Sequence, residues 1–91
     1  VSILKVKDFD EAIEKINDSP YGLQYSIFTD NLTNTKRAIE EFDCGGVVIN
    51  DVPTVRFDIQ PYGGNKLSGI GKEGPKYALD EFTEIKSVVI C

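Results

Sequence analysis

The sequence predicts an α/β fold: a three-layer α/β/α segment in the order β-α-β-α-β-loop-α-β, with its strands parallel. Three observations predict it. Short apolar, partly β-branched runs alternate with stretches whose apolar residues recur at helical spacing. Pro, Gly, Asn and Asp stand at the junctions between them. Val47-Val48-Ile49 is apolar on both faces, as a parallel strand covered on two sides must be.

The elements follow in order. Val1 to Val6 reads as a buried strand. Asp8-Phe9-Asp10-Glu11 is a capping box with Asp in the place of Ser or Thr, and it opens a helix whose first-turn carboxylates suit the positive end of the dipole. Phe9, Ala12, Ile13 and Ile16 fall on one stripe of that helix, and Pro20 ends it. Leu23 to Thr29 reads as a second strand. Asp30 or Asn31 caps a second helix, with Leu32, Thr35, Ile39 and Phe42 expected on its inner face and Gly45-Gly46 expected to close it through positive φ. Val47 to Ile49 is the third strand. Residues 50–74 have no period and hold five of the eight glycines, a length that in a compact domain points to function or disorder. Pro75 stands at the first position of a third helix, lined by Ala78, Phe82 and Ile85. Ile85 to Ile90 alternates like a terminal strand.

Composition narrows the function classes. Ten basic and fifteen acidic residues give a net charge of −5, which suits neither nucleic acid nor an anionic membrane as partner. No apolar run approaches the ~20 residues of a membrane span, and no leader is visible. The chain has no His, which excludes Ser-His-Asp and Cys-His relays and His-ligated metals. It has no Met, so a start at Val1 points to trimming or to a longer parent. Two Cys make no disulfide framework, and a reduced, cytoplasmic setting is expected. At this mass a compact domain would expose about 5,300 Å².

Each chemical motif has a plain packing alternative. Gly69-Ile70-Gly71-Lys72-Glu73-Gly74 fits G-x-G-x-x-G, but no strand delivers it and no acidic residue follows at the right distance, so tight loop packing is the better account. Cys44 lies at the wrong end of a helix for a nucleophile and reads as a packed thiol. The carboxylates read as caps and solvated faces. Arg56, between Val55 and Phe57, either bridges to Asp51 or Asp58 or points a guanidinium fork at an anionic substrate group. Tyr62, beside Gly63-Gly64, is either a cleft wall or ordinary packing.

The run from Pro61 to Glu73 (PYGGNKLSGIGKE) closely resembles the P-F/Y-G-G-x-K-x-S-G-x-G-R/K-E motif near the C-terminus of the NAD(P)-dependent aldehyde dehydrogenases. Ser19 to Leu23 is similar to the family's N-S/T-x-Y-G-L, and Gly45 to Asn50 to its G-x-V-x-I/V-N. Val1 to Lys5 looks like the segment after its E-x-F/T-G-P stretch. The resemblance covers the whole chain.

It implies a C-terminal fragment of an enzyme that oxidises an aldehyde to a carboxylic acid with NAD or NADP. Residues 1–84 would end the catalytic domain. Residues 85–91 would be the terminal strand of an oligomerisation element that pairs with a neighbouring subunit of a homodimer or homotetramer. The nucleophilic Cys, the general-base Glu and the Rossmann domain would lie upstream, so the fragment is expected to be inactive alone, without catalytic, cofactor-binding or metal-binding residues. Its implied contribution is a substrate-tunnel wall. Tyr62 matches the motif aromatic, and Arg56 and Phe57 stand in the variable substrate-facing loop, where Arg56 would select an acidic or hydroxylated aldehyde. Asn50, Pro61, Gly63, Gly64, Lys66, Ser68, Gly69, Gly71 and Glu73 match motif positions that shape the loop. Lys72 replaces the commoner Arg. A second reading from another class is a non-catalytic assembly or regulatory module acting through an exposed strand.

Overall fold

Helix α1 (Phe9–Asn17) starts where the capping signal stands, in a computed structural model that describes residues 1–91. The Asp8 carboxylate accepts from Glu11 N at 2.9 Å, and Glu11 reaches back to Lys7 N at 2.8 Å, one residue earlier than a standard capping box. Ile13 is the most deeply buried residue of its stripe, flanked by half-buried Phe9, Ala12 and Ile16.

The chain then forms β1 (Tyr21–Gly22) and β2 (Gln24–Ile27), and Asn31 opens α2 (Leu32–Glu41) by accepting from Thr33 N and Asn34 N. Replacing that cap, Asn31→Ala, should cost about 1 kcal/mol, read as a lowered urea midpoint with an unchanged slope. Strand β3 (Gly46–Ile49) pairs in parallel with β2, Gln24 opposite Gly46 and Ile27 opposite Ile49. A short antiparallel pair joins β1 to β4 (Asn65–Lys66). Helix α3 (Pro75–Phe82) follows Gly74, with Pro75 in its first turn.

The two longer helices share one side of the β2–β3 pair. Tyr25 stacks edge-on against Phe42 at 5.8 Å, and its hydroxyl lies 2.6 Å from Tyr21 O and 3.1 Å from Ile16 O. Asn17 joins the helix ends, donating to Glu41 O and accepting from Asp43 N. Arg37 makes a fork to Glu41 at 2.6 and 3.1 Å and reaches Asp10 at 2.8 Å, tying α2 to the start of α1. The opposite side of the pair is left to the long loop.

The α/β class stands, and several details differ from expectation. Val1–Val6 and Ile85–Ile90 form no strand, because a strand is completed by a ladder partner and none of these 91 residues supplies one. Parallel pairing is confined to β2 and β3. On α2 the inward residues are Thr35, Ala38 and Phe42, whereas Leu32 and Ile39 are exposed; Ala38, fully buried, lets the helix approach the sheet. Gly45 and Gly46 take no positive φ, and α2 ends instead by extension at Phe42. Helix α3 stops at Phe82, so Ile85 lies outside it, and both side chains are exposed.

Burial is correspondingly small. The chain exposes 7525 Å², well above the compact expectation of about 5,300 Å². Its radius of gyration is 17.3 Å, against about 12 Å for a compact domain of this length. Large side chains such as Ile3, Ile39, Phe82 and Val89 are left open, an amount of apolar surface that marks contact faces.

Candidate functional site

The side of the β2–β3 pair away from the helices forms the floor of a pocket of about 530 Å³. Strand alternation decides which residues reach it: Tyr25 turns to the helices, and Gln24 turns the other way. Leu23, Gln24 and residues 45–49 form the floor; Asp51, Val55, Arg56, Phe57 and residues 60–63 close over it. Asn50 starts this loop. It leaves β3 at φ 60°, a left-handed turn that Asn tolerates, and its side chain accepts from Thr29 N at 2.7 Å.

Arg56 is the one cation among the lining residues. Its guanidinium lies 4.4 Å from the centre of the Tyr62 ring, and its Nη2 is 3.4 Å from the Glu73 carboxylate. The sequence-neighbouring acids are not its partners. Asp51 instead accepts from Val52 N, and Arg56 is carried across to the motif loop. An exposed pair at that distance contributes little to stability, so the guanidinium keeps capacity for another anion. Tyr62 is both wall and packing. Its ring supports Arg56, while its backbone exchanges hydrogen bonds with Glu73 at 3.0 and 2.6 Å. Phe57 stands on the rim, largely exposed.

The other motif residues hold this geometry in place. Gly45 lies so close to Gly63 O that a side chain there would overlap it. Ser68 accepts from Gly22 N at 2.9 Å. Lys66, itself at φ 54°, extends its ammonium to Asn17 O, Ser19 O and Asp43. Lys72 places its ammonium within 3.0–3.4 Å of Gly63 O, Gly64 O and the Asn65 side-chain oxygen. The three donors of one ammonium match these three acceptors. Lys72→Met should leave those oxygens without their donor and cost about 1–2 kcal/mol, measurable as a lowered thermal midpoint. Gly69, Gly71 and Gly74 take positive φ, and Pro61 leads into Tyr62.

Cys44 is not a pocket residue. It is half-buried with its thiol on Gly46 O at 3.0 Å, and burial pushes that thiol up, against nucleophilic use. No group of three or more His, Cys, Asp or Glu is placed to hold a metal, and no helix is long and apolar enough to cross a membrane. Two features escaped the sequence reading. The β1–β4 pair is only two residues long on each side and carries no periodic signal. Gln24 reads as a neutral strand residue, yet it donates to Val55 O at 2.7 Å.

A motif loop folded onto a parallel strand pair, with Tyr62 and Arg56 at its mouth, agrees with comparisons to known proteins. The profile of the Aldehyde dehydrogenase family matches residues 1–88. The chain belongs to the aldehyde dehydrogenase family. It is 48% identical over 90 residues to a 3-sulfolactaldehyde dehydrogenase of Priestia aryabhattai, covering 99% of this chain and 19% of that protein. It is 49% identical over 88 residues to a lactaldehyde dehydrogenase of Methanococcus maripaludis, covering 97% and 19%. Among solved structures, aldehyde dehydrogenase 21 of Physcomitrella patens, in complex with the reaction product succinate, superposes with a TM-score of 0.83 at 50% identity, over 88% of this chain and 17% of that one. The glyceraldehyde-3-phosphate dehydrogenase GapN of Methanocaldococcus jannaschii, complexed with NADP, gives 0.84 at 43% identity, over 89% and 18%. This aldehyde dehydrogenase chain thus spans about a fifth of the length of its relatives (19%).

Proposed function

We propose that the chain is the C-terminal part of an NAD(P)-dependent aldehyde dehydrogenase, and that it supplies one wall of the substrate tunnel. On this reading the whole enzyme oxidises a small aldehyde bearing an acidic or hydroxyl group to the carboxylic acid. The observation that carries it is Arg56, the single cation among the residues lining the pocket, laid on the Tyr62 ring. The named substrates and product of similar proteins support the same class. 3-Sulfolactaldehyde, glyceraldehyde 3-phosphate and succinate each carry an anionic group apart from the reacting carbon, and lactaldehyde carries a hydroxyl.

These residues do not fit a nicotinamide dinucleotide. The one Gly-rich run has its ammonium, Lys72, turned onto Gly63 O, Gly64 O and Asn65, leaving no cation there for a pyrophosphate. The cofactor would be held by parts of the enzyme outside this chain, and the 91 residues alone would be inactive. Residues 1–84 belong on this reading to the catalytic domain. Residues 85–91, unpaired here and apolar except at Lys86 and Ser87, belong on this reading to a contact with a neighbouring subunit in a homodimer or homotetramer. A cytoplasmic setting, suggested by two unpaired cysteines, is part of the same proposal.

The test is to express the complete reading frame that contains this chain and to assay it with NAD⁺ or NADP⁺ and a panel of aldehydes. Reduced nicotinamide is expected with an anionic or 2-hydroxy aldehyde. Absence of turnover with every aldehyde would overturn the activity, and turnover by the 91 residues alone would overturn the division of labour. Sizing the same enzyme with and without residues 85–91 tests the subunit contact.

A further inference from the structure

Loop residues 51–61 cross the pocket without a helix or strand of their own. Two turns stiffen the loop locally, Val55 N to Val52 O and Gln60 N to Phe57 O. The side-chain hydrogen bond that fastens it to the sheet comes from Gln24, whose amide donates to Val55 O at 2.7 Å across 31 residues of chain. That carbonyl belongs to the peptide plane whose nitrogen is that of Arg56. Because the peptide is planar, fixing the oxygen fixes the direction in which the chain enters Arg56.

Room for the Gln24 side chain comes from the strand register. Its partner across the ladder is Gly46, and a Cβ there would stand 3.3 Å from Gln24 Cγ and 3.5 Å from Cδ. The side chain therefore lies over a bare glycine and reaches the loop. From the plane it holds, Arg56 extends to the Tyr62 ring, and Tyr62 is in turn locked to Glu73 through its backbone. Sheet, loop plane, guanidinium and aromatic ring form one continuous chain of contacts.

We infer that Gln24 is a positioning residue for substrate selection: by holding the Val55 carbonyl it sets where the Arg56 guanidinium stands over the pocket, and so the preference for anionic over neutral aldehydes. The inference rests on the reading of Arg56 given above and adds a residue of the pocket floor that acts through the Val55 carbonyl.

The test compares KM for succinic semialdehyde and for butyraldehyde, which lacks the carboxylate, in the full-length enzyme and its Gln24→Leu, Arg56→Ala and doubly substituted variants. Gln24→Leu keeps the bulk and loses the donor. It should raise KM for succinic semialdehyde relative to that for butyraldehyde about three- to tenfold, the value of one hydrogen bond. In the Arg56→Ala background it should add no further change to that ratio. Gln24→Asn, one methylene too short to reach Val55, should act in the same direction and serves if the Leu variant does not fold. If Arg56→Ala shifts the ratio but neither Gln24 variant does, or if the Gln24 variants weaken both aldehydes equally, positioning by Gln24 is overturned and the role of Arg56 stands. If Arg56→Ala leaves the ratio unchanged, the anion reading itself fails.

Discussion

Arg56→Ala in the full-length enzyme should raise KM for an anionic aldehyde by about 10- to 150-fold, with a much smaller change for a neutral aldehyde of equal length. The magnitude is that of a charge-assisted hydrogen bond to a carboxylate or sulfonate, about 1.5–3 kcal/mol. The geometry gives reasons to expect the full value. The guanidinium is already placed on Tyr62, so little rotamer freedom remains to be lost when substrate arrives. Its resident partner Glu73 is 3.4 Å away with both side chains open to solvent, so that pair is easily exchanged for a better one. Steady-state kinetics on the two aldehydes decide it. Equal losses on both would assign Arg56 to holding the loop and would remove the argument for an anionic substrate.

The second large effect is structural. Gly45→Ala should destabilise the protein by about 3 kcal/mol, the upper part of the range for forced overpacking. The reason is the neighbour. A Cβ on Gly45 would collide with the backbone carbonyl of Gly63, and would stand 2.7 Å from Gly63 C and 3.1 Å from Gly64 Cα. Backbone held by the motif loop cannot step aside as a side chain can. Gly46→Ala is the control, since it meets only the flexible Gln24 side chain, and should cost less than about 1 kcal/mol. Equilibrium unfolding of the two variants separates them. Equal midpoints would mean that the Gly45–Gly63 contact does not constrain the fold.

The contact between Gly45 and Gly63 gives glycine in the motif loop a packing role. Gly45 and Gly63 let two backbones touch, and Lys72 then fills the carbonyl-lined hollow that results. The loop is pinned to β1 by Ser68 and to the end of α1 by Lys66. The pocket keeps its shape because its rim is fixed to the rest of the chain at those points.

Features that are encoded within a turn or two of chain are legible before any fold is known. Asp8 and Asn31 cap their helices because a cap needs only the residues two and three positions on. Val47–Ile49 reads as a strand because its apolar pattern is local, and the family motif is legible because it is contiguous. Tertiary structure alone decided the pairings that join distant segments. Arg56 meets Glu73 and not the nearer Asp51 or Asp58, because the loop folds back over the sheet before the side chain chooses a partner. Gln24 matters only once Val55 is carried above it. The expected strands at both ends are a third case. An apolar extended run specifies half of a strand, and the other half is a ladder partner that the run cannot supply. Local propensity fixes elements, and only the completed packing fixes which groups meet.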